Sequence, residues 1–169
     1  MSEPTLTIGE ILSKNVEVFD PMNLDTSEIK ELSNAMPKDG NIDLNNAEVM
    51  ATKYLRGADM CSELLAIATA YVNKTDTLKK KAYSYAALVK ASANGIKTDK
   101  SRAWFAEQDQ DYLDACNKST EALFFFKWVS GKLDSFSKMH YLCKRILDRG
   151  YAHEKASSWN GTIEKNEGW

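Results

Sequence analysis

Three consecutive lysines, Lys79, Lys80 and Lys81, open a stretch in which positive charge alternates with aromatic rings. Tyr83 and Tyr85 follow at once, then Lys90, Lys97, Lys100, Arg102 and Trp104. A surface that holds a single nucleic-acid strand needs this mixture. Ammonium and guanidinium groups track the phosphates, and rings stack on the bases at about 1–3 kcal/mol each. The same letters also fit a solvated lysine face above tyrosines packed into a core, so the stretch alone leaves both readings open.

No set of residues supplies catalysis. Gly131-Lys132-Leu133 lacks the earlier glycine and the hydroxyl residue of a phosphate loop, and His153-Glu154 is followed by no second histidine at the spacing of a zinc peptidase. The Glu-x-x-His repeats of helical metal bundles are absent. His140 and Cys143 could offer two ligands, but both lie on an apolar seam and read as a packed ring and thiol. The expectation is a binding protein with no catalytic residues, metal or cofactor. Cys61, Cys116 and Cys143 show no Cys-x-x-Cys spacing and are expected to be reduced and mostly buried.

Charge is segregated along the 169 residues although the net value is only −2. Residues 1–50 carry three lysines against ten acids, and residues 51–105 carry ten basic groups against four acids. Residues 106–126 hold one lysine against five acids, and the remainder eight basic groups against five acids. Such alternation fits one anion-seeking region with acidic segments that shield it or meet a partner, and it also fits ordinary solvated helix faces.

The elements that must position these residues are helices. With 8 Gly and 3 Pro the chain has few turn-formers for a many-stranded β fold. Residues 1–40 read as an acidic arm or small subdomain of short helices. One carries Leu6, Ile8, Ile11, Leu12, Val16 and Phe19; a second begins at Asp25 or Thr26, shows Ile29, Leu32 and Met36 on one face, and stops before Pro37. Residues 43–150 form the body. From an Asp43 cap, Leu44, Ala47, Ala51, Tyr54, Ala58, Cys61, Leu65, Ala68 and Val72 advance by three and four, the seam of a helix lying along another helix. The stripe continues through Leu78, Ala82, Tyr85, Leu88 and Val89 to a stop at Asn94-Gly95. Asn73–Asp76 is a weak point, so one helix or a hairpin of two remain open. Residues 94–105 read as a polar, basic connection.

A second seam takes in Tyr112, Ala115, Ser119, Ala122, Phe126, Val129, Leu133, Phe136, His140, Cys143 and Leu147. Phe124, Phe125 and Trp128 flank it, and Gly131 inside it reads as a close helix approach. So much apolar surface exceeds what one intramolecular seam covers, which predicts subunit assembly through Phe126, Val129, Leu133, Phe136, His140, Cys143 and Leu147. Residues 157–169 read as a flexible tail. The fold expectation is all-α: long helices with heptad seams in a helical hairpin or bundle, preceded by short helices. No apolar run approaches the ~18 residues of a membrane span, and the N-terminus does not look like a secretory signal, so the expected location is cytoplasmic.

The succession of Ile42-Asp43, an alanine-rich helix through Lys53-Tyr54-Leu55, a lysine-rich stretch ending near Gly95 and a final apolar helix resembles the UvsY-like recombination mediators of tailed phages. The nearest stretch is Asp109-Gln110-Asp111-Tyr112-Leu113 leading into Ala122–Phe136, where an aromatic segment runs through Ser130-Gly131 into Leu133-Asp134. The resemblance covers residues 42–150. It implies an all-α homo-oligomer that binds single-stranded DNA and loads a RecA-like recombinase onto strands coated with single-stranded-DNA-binding protein. The family's basic segment then maps onto residues 79–102, and its last helix assembles subunits. The acidic extension of some forty residues and the negative net charge depart from the family pattern. The other reading is a helical adaptor or phage inhibitor that grips a protein partner and no nucleic acid.

Overall fold

The computed structural model describes residues 23–37 and 42–163, with side chains as far as His153. The expected helix over residues 6–19 lies outside these residues. Those described are helical, with no strand among them. Helix α1 spans Ser27–Asn34 and α2 spans Leu44–Tyr85. A π-helical turn, Ala86–Lys90, and a last α-helical turn, Ala91–Ala93, continue α2. Helix α3 spans Asp99–Glu107 and α4 spans Gln110–Ile163.

Helix boundaries follow local chemistry. Thr26 occupies the cap position of α1 without a side-chain bond to the helix. Before α2, the Asp43 carboxylate accepts from the Asn45 amide at 3.4 Å. At the far end Gly95 takes a left-handed φ of 73°, and the Gly95 and Ile96 amides donate to Ser92 O and Ala91 O. This paired return satisfies the last carbonyls and stops the helix, as Asn94-Gly95 predicted. Nothing breaks at Asn73–Asp76. Buried Thr75 turns its hydroxyl back onto Tyr71 O and Val72 O, both at 3.0 Å, so the polar group is satisfied within its own helix.

The described residues divide into two compact units: Glu63–Ser130 with residues 23–25, and Thr26–Ser62 with residues 131–163. In the second unit, residues 44–62 of α2 run antiparallel to α4, with Leu44 against Gly150 and Gly57 against Phe136. His140 Nδ1 lies 2.9 Å from Ala51 O, and the Tyr54 and Phe136 rings are 6.4 Å apart. Helix α1 lies on this pair through fully buried Ile29, with Arg56 paired to Glu28 at 2.7 Å and Lys132 donating to Ser33 Oγ at 2.6 Å. Burial pushes the Cys61 thiol up to about 11, so it is a core group and not a nucleophile.

In the first unit the rest of α2 runs antiparallel to the start of α4. The Tyr83 and Tyr112 rings meet edge to face at 5.3 Å. Buried positions in α2 recur every seven residues at Ala47, Tyr54, Cys61, Ala68 and Thr75, and in α4 at Ala122, Val129, Phe136 and Cys143. Both seams stand as expected over this range.

Several expectations need correction. The stripe beyond Thr75 is out of phase: Leu78, Tyr85, Leu88 and Val89 are exposed, while Ala86 and Ala91 are buried. Leu78 and Tyr85 lie to the side of the inward line that runs on from Thr75 to Ala86; past Ala86 the extra residue of the π-helical turn moves that line, so Val89 is exposed and Ala91 buried. Residues 94–105 are not merely a connection, because the Thr98 hydroxyl accepts from the Ser101 amide and starts α3. Helix α4 runs as far as Ile163, so residues 157–163 of the expected tail continue it, Asn160-Gly161 included. A Cβ at Gly131 would meet nothing within 4 Å, so the close approaches are at Gly57 and Gly150. Finally, Val129, Phe136 and Cys143 are fully buried within one chain. They are intramolecular core and cannot also be the face that meets another subunit. Phe126, Leu133, His140 and Leu147 are half-buried along the same seam.

Candidate nucleic-acid interface

The basic and aromatic residues singled out by sequence all fall in the unit built on Glu63–Ser130, on the second half of α2, the Asn94–Thr98 turn and α3. They divide by what they touch. Lys81, Lys97 and Lys100 are exposed, and Lys79 is half-buried. Trp104 stands on α3 with 64% of its surface open. An indole ring at this exposure is a large apolar face for a nine-residue helix to leave uncovered.

Other members are engaged internally. Lys80 is paired to Asp76 one helical turn back at 2.7 Å, and its hydrogen bond holds the Asp76 carboxyl below its usual range. Tyr83 is packed against Tyr112 and is half-buried. Arg102 donates from Nε to Ile96 O at 3.0 Å, which leaves the rest of its guanidinium beside the turn.

Lys90 is the clearest departure. Its Nζ lies 2.9 and 2.7 Å from the two oxygens of Asp109 and 2.6 Å from Asp111 Oδ2. Its hydrogen bonds to Asp109 and then to Asp111 raise the lysine pKa, and the bond from Lys90 lowers that of Asp109. With three carboxylate oxygens in hydrogen-bond reach, all three N–H donors of the ammonium are engaged and none is left for a phosphate, so Lys90 is removed from the contact set.

The sequence offers both Tyr83 and Tyr85 as stacking rings. Positions 83 and 85 differ by about 200° around a helix, so only one of the two rings can face outward. That ring is Tyr85, 55% exposed, with Lys90 Nζ 5.9 Å from its centroid. The seam carried no signal for this, because the two positions flank the line through Thr75 and Ala86 on opposite sides; the ring that turns inward is the one that meets Tyr112. The acidic run after α3 was noted as a charge block but not as a partner for Lys90. Asp109 precedes an apolar helix in the position of an N-cap, and its Oδ1 accepts from the Asp111 and Tyr112 amides at 3.1 and 3.4 Å.

Beside this region Thr75, Leu78 and Ala82 of α2 and Asp111, Asp114, Ala115 and Lys118 of α4 line an open groove. Its two carboxylates outnumber its one ammonium, which makes the groove a poor seat for a polyanion. The arrangement can bind through charge and stacking. Among the described residues no group of three or more His, Cys, Asp or Glu is placed to hold a metal ion, and no helix is long and apolar enough to cross a membrane. Compared with protein-family models, curated proteins and solved structures, the chain has no match in any of the three.

Proposed function

We propose that this chain is a non-enzymatic recombination mediator that binds single-stranded DNA as a homo-oligomer. Lys81, Lys97 and Lys100 take the phosphates, and Trp104 and Tyr85 take the bases. The observation that carries the reading is Trp104, largely exposed on a short helix that also presents Lys100 and follows Lys97. Loading of a RecA-like recombinase onto strands coated with single-stranded-DNA-binding protein is the extension drawn from the family resemblance, as is a cytoplasmic place of action. Assembly brings several weak surfaces onto one strand, and linked weak sites gain affinity by effective concentration. With Val129, Phe136 and Cys143 enclosed in the chain, the subunit contact falls to exposed apolar residues of α4, Phe124 first among them.

Fluorescence anisotropy of a labelled oligo-dT tests the reading. Changing Lys97 and Lys100 to Glu and Trp104 to Ala should weaken binding at least tenfold while helicity and mass stay the same. Wild-type affinity in the triple variant would remove the surface.

A second reading is favoured by exposed Leu88, Val89 and Phe124. Here the chain is a helical adaptor or inhibitor whose ligand is a protein. Oligomer formation with no oligonucleotide shift at low salt would select it.

A further inference from the structure

We propose that Lys90 is a positioning residue which, with Asp109 and Asp111, closes the neck of the 91–108 excursion and so sets α3 with Lys100 and Trp104 in place. The inference rests on the reading of α3 as part of a single-strand surface, and it concerns how that surface is held.

The neck is built from both sides. Lys90 ends the π-helical turn of α2, and Asp109 is the residue immediately before α4. Their hydrogen bonds of 2.7 and 2.9 Å join positions nineteen residues apart, and the Asp109 side chain is only 9% exposed. The same carboxylate caps α4 by accepting from the Asp111 and Tyr112 amides, so one group fixes the start of α4 and the end of the π-helical turn together. Asn94 reinforces the lysine side: its backbone N–H and its side-chain amide both donate to Lys90 O, at 3.1 and 2.8 Å.

Helix α3 needs such a frame. Its nine residues are fewer than the roughly 12–15 that an isolated helix requires in water. It packs against the π-helical turn and the last turn of α2, with Ala86, Ala91 and Ala106 all fully buried. Alanines give close contact but little apolar area, so the closure at the neck and the Arg102 to Ile96 bond limit how far α3 can swing. One ammonium facing two carboxylates leaves a local excess of negative charge. A phosphate approaching Lys90 is repelled there and attracted at Lys97 and Lys100.

The experiment uses the full chain and three variants, Lys90→Met, Lys90→Arg and Asp109→Asn. Asn remains a good N-cap, so the last of these separates the ion pair from the cap. In the free protein, amide hydrogen exchange over 94–107 should quicken tenfold or more in Lys90→Met and Asp109→Asn, and stay near wild type in Lys90→Arg. Unchanged exchange in the first two overturns the proposal whatever the ligand. Oligo-dT binding should weaken severalfold in Lys90→Met and in Asp109→Asn, with the salt slope preserved. If Lys90 instead met a phosphate, Lys90→Met would lower the slope by about 0.7 and Asp109→Asn would tighten binding, and either result contradicts a positioning role. A wild-type chain that ignores oligo-dT refutes the single-strand reading, and the exchange measurement still decides whether the neck holds α3.

Discussion

Phe136 lays its ring over Gly57, where a Cβ would come within 2.9 Å of the Cδ1 and Cε1 atoms. The glycine is a place made for the ring: Phe136 is fully buried, and Gly57 is the α2 position that faces it. Alanine at 57 would gain about 1 kcal/mol of helix propensity, but overpacking a filled core costs about 1–3 kcal/mol. Gly57→Ala should therefore lower the urea midpoint, and Phe136→Leu in the same chain should restore part of the loss. A Gly57→Ala protein more stable than wild type would mean that the ring does not sit there.

Gly131 is the opposite case. It lies within α4, and a Cβ there meets nothing. Gly131→Ala should stabilise by about 0.5–1 kcal/mol through helix propensity alone, read as a raised urea midpoint at constant slope. Destabilisation would show a contact at this position that the isolated chain lacks.

Two phenylalanines of α4 should respond differently to aspartate. Phe136 is enclosed and Phe124 is 67% exposed. Phe136→Asp should unfold the protein, because a buried ring is replaced by an unpaired charge. Phe124→Asp should leave far-ultraviolet circular dichroism unchanged and reduce the mass in native mass spectrometry. An unchanged oligomer would take Phe124 out of the subunit contact.

The ion pair at the neck fixes a pH profile. The Asp109 pKa is lowered, so its contribution is complete above the ordinary carboxylate value of 3.8 and is lost as pH falls through the folded value. The Lys90 pKa is raised, so its contribution is complete below the ordinary 10.5 and is lost as pH rises through the folded value. The difference in unfolding midpoint between wild type and Lys90→Met should thus be flat from about pH 5 to about pH 9 and shrink below about pH 3. A difference that changes between pH 6 and 8 would point to another titrating group.

The sequence made some of this legible because heptad spacing is a local signal. Ala47 to Ala68 and Ala122 to Cys143 could be assigned inward from their recurrence alone. The expected stripe failed first at Leu78 and Tyr85, which lie beside the inward line, and then across Ala86–Lys90, where the helical repeat itself changes and leaves no composition mark. Intramolecular and intermolecular seams also look identical in one dimension, which is why Phe136 and Val129 were expected between subunits. At the candidate surface the exposed members, Lys81, Lys97, Lys100 and Trp104, were readable as types. Which lysines were already paired was not, because Lys90 and Asp109 meet only when the chain folds back.

The central claim is that exposed lysines of this unit hold the phosphates of a single strand. Oligo-dT affinity measured across salt concentrations tests it most directly. Three contacts, Lys81, Lys97 and Lys100, predict a log–log slope near −2 per protomer, at about −0.7 for each phosphate neutralised. A slope near zero, or no binding at low salt, would contradict the account.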